Sequence, residues 1–91
     1  MTTTTAAIRV LIADDHAVVR EGIRHVLGQD AGFDVVGEAS DGQQAVSLVR
    51  ELVPDVVVLD LSMPVLSGLE AAARIRSASP GTRVLVLSIH D

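Results

Sequence analysis

The sequence predicts an α/β fold, a doubly wound parallel sheet with strand order 2-1-3-4. Two observations carry this. Four apolar strand candidates recur, IRVLIA from Ile8, FDVVGEA from Phe33, DVVVLD from Asp55 and RVLVLS from Arg83, with helix-length segments between them. Parallel neighbours need crossovers of that length, and such crossovers are right-handed. The second observation is the character of the strands. The first, third and fourth are nearly continuous in apolar residues, as expected of strands covered on both faces. In the second, Phe33, Val35 and Gly37 alternate with Asp34 and Glu38, which suits a half-exposed edge.

The helices follow in order. The first, from His16 to Leu27, sets Val19, Ile23, Val26 and Leu27 on one face, with Gly28 as its stop. Asp15 is a candidate cap for it. The second runs from Gly42 to Val53, with Val46, Val49, Leu52 and Val53 on one face, a cap at Asp41 and an end at Pro54. The third opens at Ser67, with Glu70 at capping-box spacing. It carries Leu69, Ala72 and Ile75 inward until Ser79, Pro80 and Gly81 break it.

Composition narrows the function. Ninety-one residues suffice for one domain with a modest core. A membrane-spanning helix needs about 20 consecutive apolar residues, and VVVLDL is broken by Asp60, so a soluble chain without a membrane partner is expected. Residues 1–7 read as a disordered tail rather than a secretory signal, leaving 8–91 as the domain. The absence of cysteine fits a cytoplasmic location and excludes thiolate chemistry. A net charge of −5 argues against gripping nucleic-acid phosphates, and a single aromatic, Phe33, leaves no base-stacking platform. All seven cations are arginine.

The polar residues at strand ends are the functional signal. Strand one ends in Asp14 and Asp15, strand three in Asp60 and strand four in Ser88. The 2-1-3-4 order gathers these ends beside the point where the chain reverses direction, which is where open α/β sheets bind ligands. A lone aspartate at a strand end is usually a cap or a turn residue. Three that converge repel one another, and a hard divalent cation such as Mg2+ resolves the conflict with oxygen ligands alone. Carboxylate-rich magnesium sites seldom recruit imidazole, so His16 is expected to be a surface residue at the helix start. His25 is expected to be solvated and His90 to lie in a loop near the mouth of the site. Glu38 and Asp41 read as loop and cap, and Arg20, Arg24, Arg74 and Arg76 as exposed helix faces.

The segments IRVLIADDHAVVREGIRHVL, VVGEASDGQQAV, PDVVVLDLSMPVLSGLEAAARIR and RVLVLS together resemble the receiver domain of two-component response regulators. DDHxxxREGI is similar to the NarL/FixJ (LuxR-type) subfamily. The resemblance covers residues 8 to 91 and implies a flavodoxin-like (CheY-like) fold, here lacking the fifth strand and last two helices. It further implies that Asp60 is the phosphoacceptor, taking a phosphoryl group from a sensor histidine kinase without being a turnover enzyme. Mg2+ would sit on Asp15 directly, Asp14 partly through water, Asp60 and the backbone carbonyl of Ser62. Ser88 would hydrogen-bond a phosphoryl oxygen. Met63 and Pro64 would shape the loop below the site, and Gly68 would start the third helix close against it. Arg20 and Arg24 gain a kinase-docking role as an alternative to plain exposure.

The family pattern also calls for a lysine and an aromatic residue on a fifth strand. This sequence holds no lysine and stops at Asp91. It therefore reads as a receiver truncated after the fourth strand, with DNA binding left to a C-terminal domain beyond it. An open fourth strand would favour a homodimer or strand-exchanged oligomer. A phosphorylation-impaired interaction module is the alternative function. A phosphatase of the haloacid dehalogenase kind is disfavoured, because DLSMP lacks the second acid of DxDx[TV].

Overall fold

A computed structural model describes residues 7–61, 63 and 65–87. All of the expected tail over residues 1–7 except Ala7, and Ser62, Pro64, Ser88 and His90, lie outside the described residues. The elements alternate as β1 (Ile8–Ala13), α1 (Ala17–Gly28), β2 (Phe33–Ala39), α2 (Gly42–Leu52), β3 (Val56–Asp60), α3 (Gly68–Ala78) and β4 (Arg83–Leu87). The four strands form one parallel sheet in the order β2-β1-β3-β4.

Each face of the sheet has its own apolar layer. Leu11, Ala13, Val57 and Leu59 point to one side, where they pack with Val46 and Val49 of α2 and with Ala71, Ala72 and Ile75 of α3. Val10, Ile12 and Val58 point to the other, against Ile23 and Leu27 of α1. The alternation along β1 feeds both layers, as a fully covered strand must. No residue of α1 is fully buried.

Local chemistry sets the helix ends. The Asp41 carboxylate accepts from the Gln44 amide at 2.8 Å and the Ser67 hydroxyl from the Glu70 amide at 3.3 Å, as expected of caps. Pro54 disfavours a helical residue before it, and Val53 leaves α2 in the left-handed region at φ 46°. Behind that turn, Thr82 donates to the Pro54 carbonyl at 2.7 Å and lies 2.6 Å from the Ser79 hydroxyl, tying the start of β4 to that of β3.

Three expectations fail in their detail. Val26 and Leu69 are exposed rather than inward. The stripe that α1 turns to the sheet is narrower than the apolar pattern suggests and runs through Ile23 and Leu27. In α3, Gly68, Ala71, Ala72 and Ile75 make the buried face, and the small residues let the helix approach closely. Val53 is exposed as well, because the left-handed turn carries it off the face shared by Val46 and Val49.

The alternation in β2 is interrupted too. Val10 pairs with Val35, but Leu11 pairs with Gly37, so Val36 is an extra residue in the ladder. Phe33 and Val35 face the α1 layer. After the bulge the phase reverses: Gly37 abuts Leu11 and Leu52, and Ala39 joins the α2/α3 layer. Glu38, paired with Ile12, thereby falls on the α1 side.

Gly68 touches the end of β3. A β-carbon there would lie 2.5 Å from Leu61 Cα and 2.6 Å from the Asp60 carbonyl oxygen, both backbone atoms that cannot yield cheaply. Gly42 is pressed in the same way against the Leu66 carbonyl. Gly22, within α1, has open space around it. Gly68→Ala is therefore expected to destabilise the domain by about 1–3 kcal/mol through overpacking. Gly22→Ala is expected to stabilise it by about 0.5–1 kcal/mol through helix propensity. Urea denaturation of the two variants checks both signs.

Candidate functional site

The site forms at the carboxyl edge of β1 and β3. Ala13 pairs with Leu59, so one further step along both strands sets Asp14 beside Asp60. The Asp14 amide still donates to the Ala39 carbonyl at 3.0 Å, which extends the sheet ladder one residue past the strand and fixes where its side chain emerges. Asp14 and Asp60 are only 6% and 7% exposed, whereas Asp15 stands more open in the loop to α1. Met63 is buried in the core beneath, and the Gly68 amide donates to the Leu61 carbonyl at 3.1 Å, closing the turn that follows Asp60.

Asp14, Asp15, His16 and Asp60 each offer a ligand atom, and these atoms all lie within 4.8 Å of one another. In an octahedron with bonds of about 2.1 Å, opposite ligands stand about 4.2 Å apart. The carboxylates therefore need only a small contraction to close on a hard dication, and an oxygen-rich donor set suits Mg2+. The acids singled out by sequence are brought together. Ser62 and Ser88 fall outside the described residues.

Two basic groups at this edge went unanticipated. His16 is the N-cap of α1, yet no side chain caps the helix, so the expected cap by Asp15 is not formed. Instead the His16 amide donates to Asp14 Oδ1 at 2.8 Å, and the Asp15 carboxylate lies with those of Asp14 and Asp60. The His16 ring is not merely a surface group: Nδ1 lies 3.0 Å from Asp14 Oδ1 and 3.0 Å from Asp15 Oδ1. Arg20 is likewise not on an open helix face, since its side chain is 18% exposed. It donates through Nε to Glu38 at 3.2 Å and through an η-nitrogen to the Asp14 carbonyl. Arg24 adds a second contact to Glu38 at 2.9 Å. The arginine spacing of four, one turn of helix, was visible in the sequence, but the bulge that turns Glu38 toward it was not.

The hydrogen bond that the His16 ring donates to Asp14, followed by the charge of Asp15, raises the His16 imidazole above its usual 6.5. A histidine shifted upward contributes stability that is fully present below its unfolded-state value and is lost as pH rises through the folded-state value. In the metal-free protein, NMR titration of the His16 ring is expected to give a midpoint above 6.5. Asp14→Asn should move it back toward that value. A wild-type midpoint at or below 6.5 would contradict the contact.

The comparisons with known proteins agree with this geometry. The response regulator receiver domain family matches residues 10–91. The chain is 43% identical over 84 residues to the transcriptional regulatory protein DegU of Brevibacillus brevis, covering 92% of this chain and 36% of that protein. It is 45% identical over 83 residues to the response regulator UvrY of Escherichia coli, covering 91% and 38%. The chain thus spans little more than a third of these relatives. Among solved structures, the response regulator domain of Thermotoga maritima CheB superposes with a TM-score of 0.87 at 40% identity, covering 91% of this chain and 61% of that one. A LuxR-family two-component response regulator from Aurantimonas also gives 0.87 at 40% identity, covering 94% and 61%. A sheet in the order 2-1-3-4, acids gathered at its carboxyl edge and a family match across nearly all its length lead to one conclusion: the chain belongs to the receiver domains of two-component response regulators.

Proposed function

We propose that Asp60 is the phosphoacceptor of this domain and that Asp14, Asp15 and the Ser62 carbonyl join it in holding Mg2+. The observation that carries the reading is the convergence of two buried carboxylates and a third, more open one at the ends of adjacent strands. A carboxylate oxygen of Asp60 attacks the phosphorus of a phosphohistidine on a sensor kinase. The P–N bond breaks, its electron pair returns to the donor imidazole nitrogen, which takes a proton, and an aspartyl phosphate remains. Bound Mg2+ supplies the charge neutralisation that lets an anionic nucleophile approach an anionic phosphoryl group. Asp14 and Asp15 orient that charge, and Ser88 donates to a phosphoryl oxygen. The close contact of Gly68 with the Asp60 carbonyl supports a fixed position for the nucleophile.

The parent protein is read as a cytoplasmic transcriptional regulator. The names of the relatives support the regulatory part of this reading, and DNA contact is assigned to a C-terminal domain, since this segment carries a net charge of −5. Among the described residues no helix is long and apolar enough to cross a membrane.

Incubation with Mg2+ and acetyl phosphate, followed by mass spectrometry, is expected to add one phosphoryl group to the wild type. Asp60→Asn should remove that addition, and Asp14→Asn or Asp15→Asn should reduce it at least about tenfold by weakening the cation seat. Undiminished labelling of Asp60→Asn would refute the assignment.

A second reading, association through the sheet edge, is favoured by one observation. Leu85, Val86 and Leu87 of β4 are exposed large apolar residues, with Leu85 at 53%. An uncovered apolar strand is a pairing surface. Light scattering at rising concentration is expected to show mass above 9.5 kDa for this chain, reduced by Leu85→Lys. A monodisperse 9.5 kDa particle throughout would refute it.

A further inference from the structure

We propose that Arg20 is a positioning residue for the cation seat: it fixes the loop that presents Asp15 and thereby raises affinity for Mg2+, although it carries charge of the same sign as the ion. The inference rests on the reading of Asp14, Asp15 and Asp60 as that seat and concerns what holds its loop-borne acid in place.

Asp14 and Asp60 are placed by the sheet. Both are buried, Asp60 ends β3, and the Asp14 amide is held in the ladder by the Ala39 carbonyl at 3.0 Å. Asp15 has left the ladder and lies exposed between β1 and the start of α1 at Ala17. Its direction is set by the planar peptides on either side, which leave it two soft torsions. The peptide that leaves Asp15 is pinned by Asp14 itself, whose Oδ1 accepts from the His16 amide at 2.8 Å. The peptide that enters Asp15 is pinned by Arg20, whose guanidinium donates to the Asp14 carbonyl. The Arg20 backbone amide also donates to the His16 carbonyl at 3.1 Å, so one residue grips the chain ahead of Asp15 and the helix start behind it.

The guanidinium is itself oriented. Its Nε donates to Glu38 on β2 at 3.2 Å while an η-nitrogen reaches the Asp14 carbonyl. A planar fork serves two acceptors in fixed directions at once, whereas an ammonium is a single point of charge. Charge alone would make Arg20 a liability here. A fixed positive group beside the seat repels the incoming ion, so its removal would tighten Mg2+ binding. Positioning works the other way, because a ligand that must be ordered on binding weakens the complex, and losing a supporting contact at a metal site costs about 10–100-fold in affinity. The sign of the change separates the two roles.

Mg2+ is titrated by calorimetry into the wild type and into Arg20→Met, which keeps an apolar stem and loses the fork. Affinity is expected to fall at least about tenfold in Arg20→Met. Arg20→Lys keeps the charge but cannot span both acceptors, and is expected to lose about fivefold. Arg24→Gln, which removes the exposed second arginine on Glu38, should stay within about twofold of the wild type. With acetyl phosphate as donor, Arg20→Met should raise the Mg2+ concentration for half-maximal labelling about tenfold and leave the rate at saturating Mg2+ within about threefold. In the metal-free protein the Asp15 amide resonance is expected to move or broaden in Arg20→Met while that of the buried Val57 stays in place. Mg2+ affinity unchanged or raised in Arg20→Met, or unchanged in Arg20→Lys, overturns the role of Arg20, and the lysine variant alone decides if the methionine variant does not fold. A loss in Arg24→Gln as large as in Arg20→Met also overturns it, since the ion pairs on Glu38 would then be what matters. No Mg2+ binding by the wild type overturns the seat itself and the proposal with it.

Discussion

The in-register parallel pairing of β1 with β3 is the constraint on which the site depends. It ends both strands at one edge, and the next residue of β1 and the last residue of β3 are both buried aspartates. Two unit charges 4 Å apart at an effective dielectric of 20 repel by about 4 kcal/mol. A fold of ordinary stability holds only about 5–15 kcal/mol in total. Such a pair is tolerable only beside compensating charge. His16 and Arg20, both at the start of α1, supply part of it.

That compensation explains why α1 is where it is. The helix buries little, with only Ile23 and Leu27 in the apolar layer beneath it. Its other attachments to the sheet are polar: Arg20 and Arg24 on Glu38, Arg20 on the Asp14 carbonyl, and His16 on the acids themselves. The helix that anchors least in the core thus holds most of the positive charge around the site. On the opposite face, α2 and α3 pack through a full apolar layer, and α3 reaches the site through the close approach of Gly68 to the Asp60 carbonyl.

Much of this was legible in the sequence. Apolar runs at strand length, Asp41 and Ser67 as caps, and Pro54 as a terminator fix the elements, and edge-strand alternation gives the order. From that order alone Asp14, Asp15 and Asp60 must meet. The surroundings of the acids were less legible. Periodicity placed Val26 and Leu69 inward because it counts apolar residues without knowing how wide a stripe the sheet can cover. His16 was read by the habits of magnesium sites, and its ring contact depends on a loop conformation that no residue pattern encodes. Arg20 and Glu38 lie 18 residues apart, and their meeting depends on a bulge with no proline or special glycine geometry to announce it.

That bulge gives β2 a parity. With Val36 inserted, a strand that begins by serving the α1 layer finishes by serving the α2/α3 layer, and Glu38 comes out on the side of the arginines. Pairing Val36 with Leu11 in regular register would exchange the two sides for everything downstream. Gly37 would then oppose Ile12, the Glu38 carboxylate would be turned into the apolar layer beneath α2, and Ala39 would be turned toward the α1 side. Removing Val36 altogether would leave Gly37 on Leu11 and Glu38 on Ile12, where they are now. What the extra residue settles is thus register rather than length, and that register supports an aspartate on the neighbouring strand.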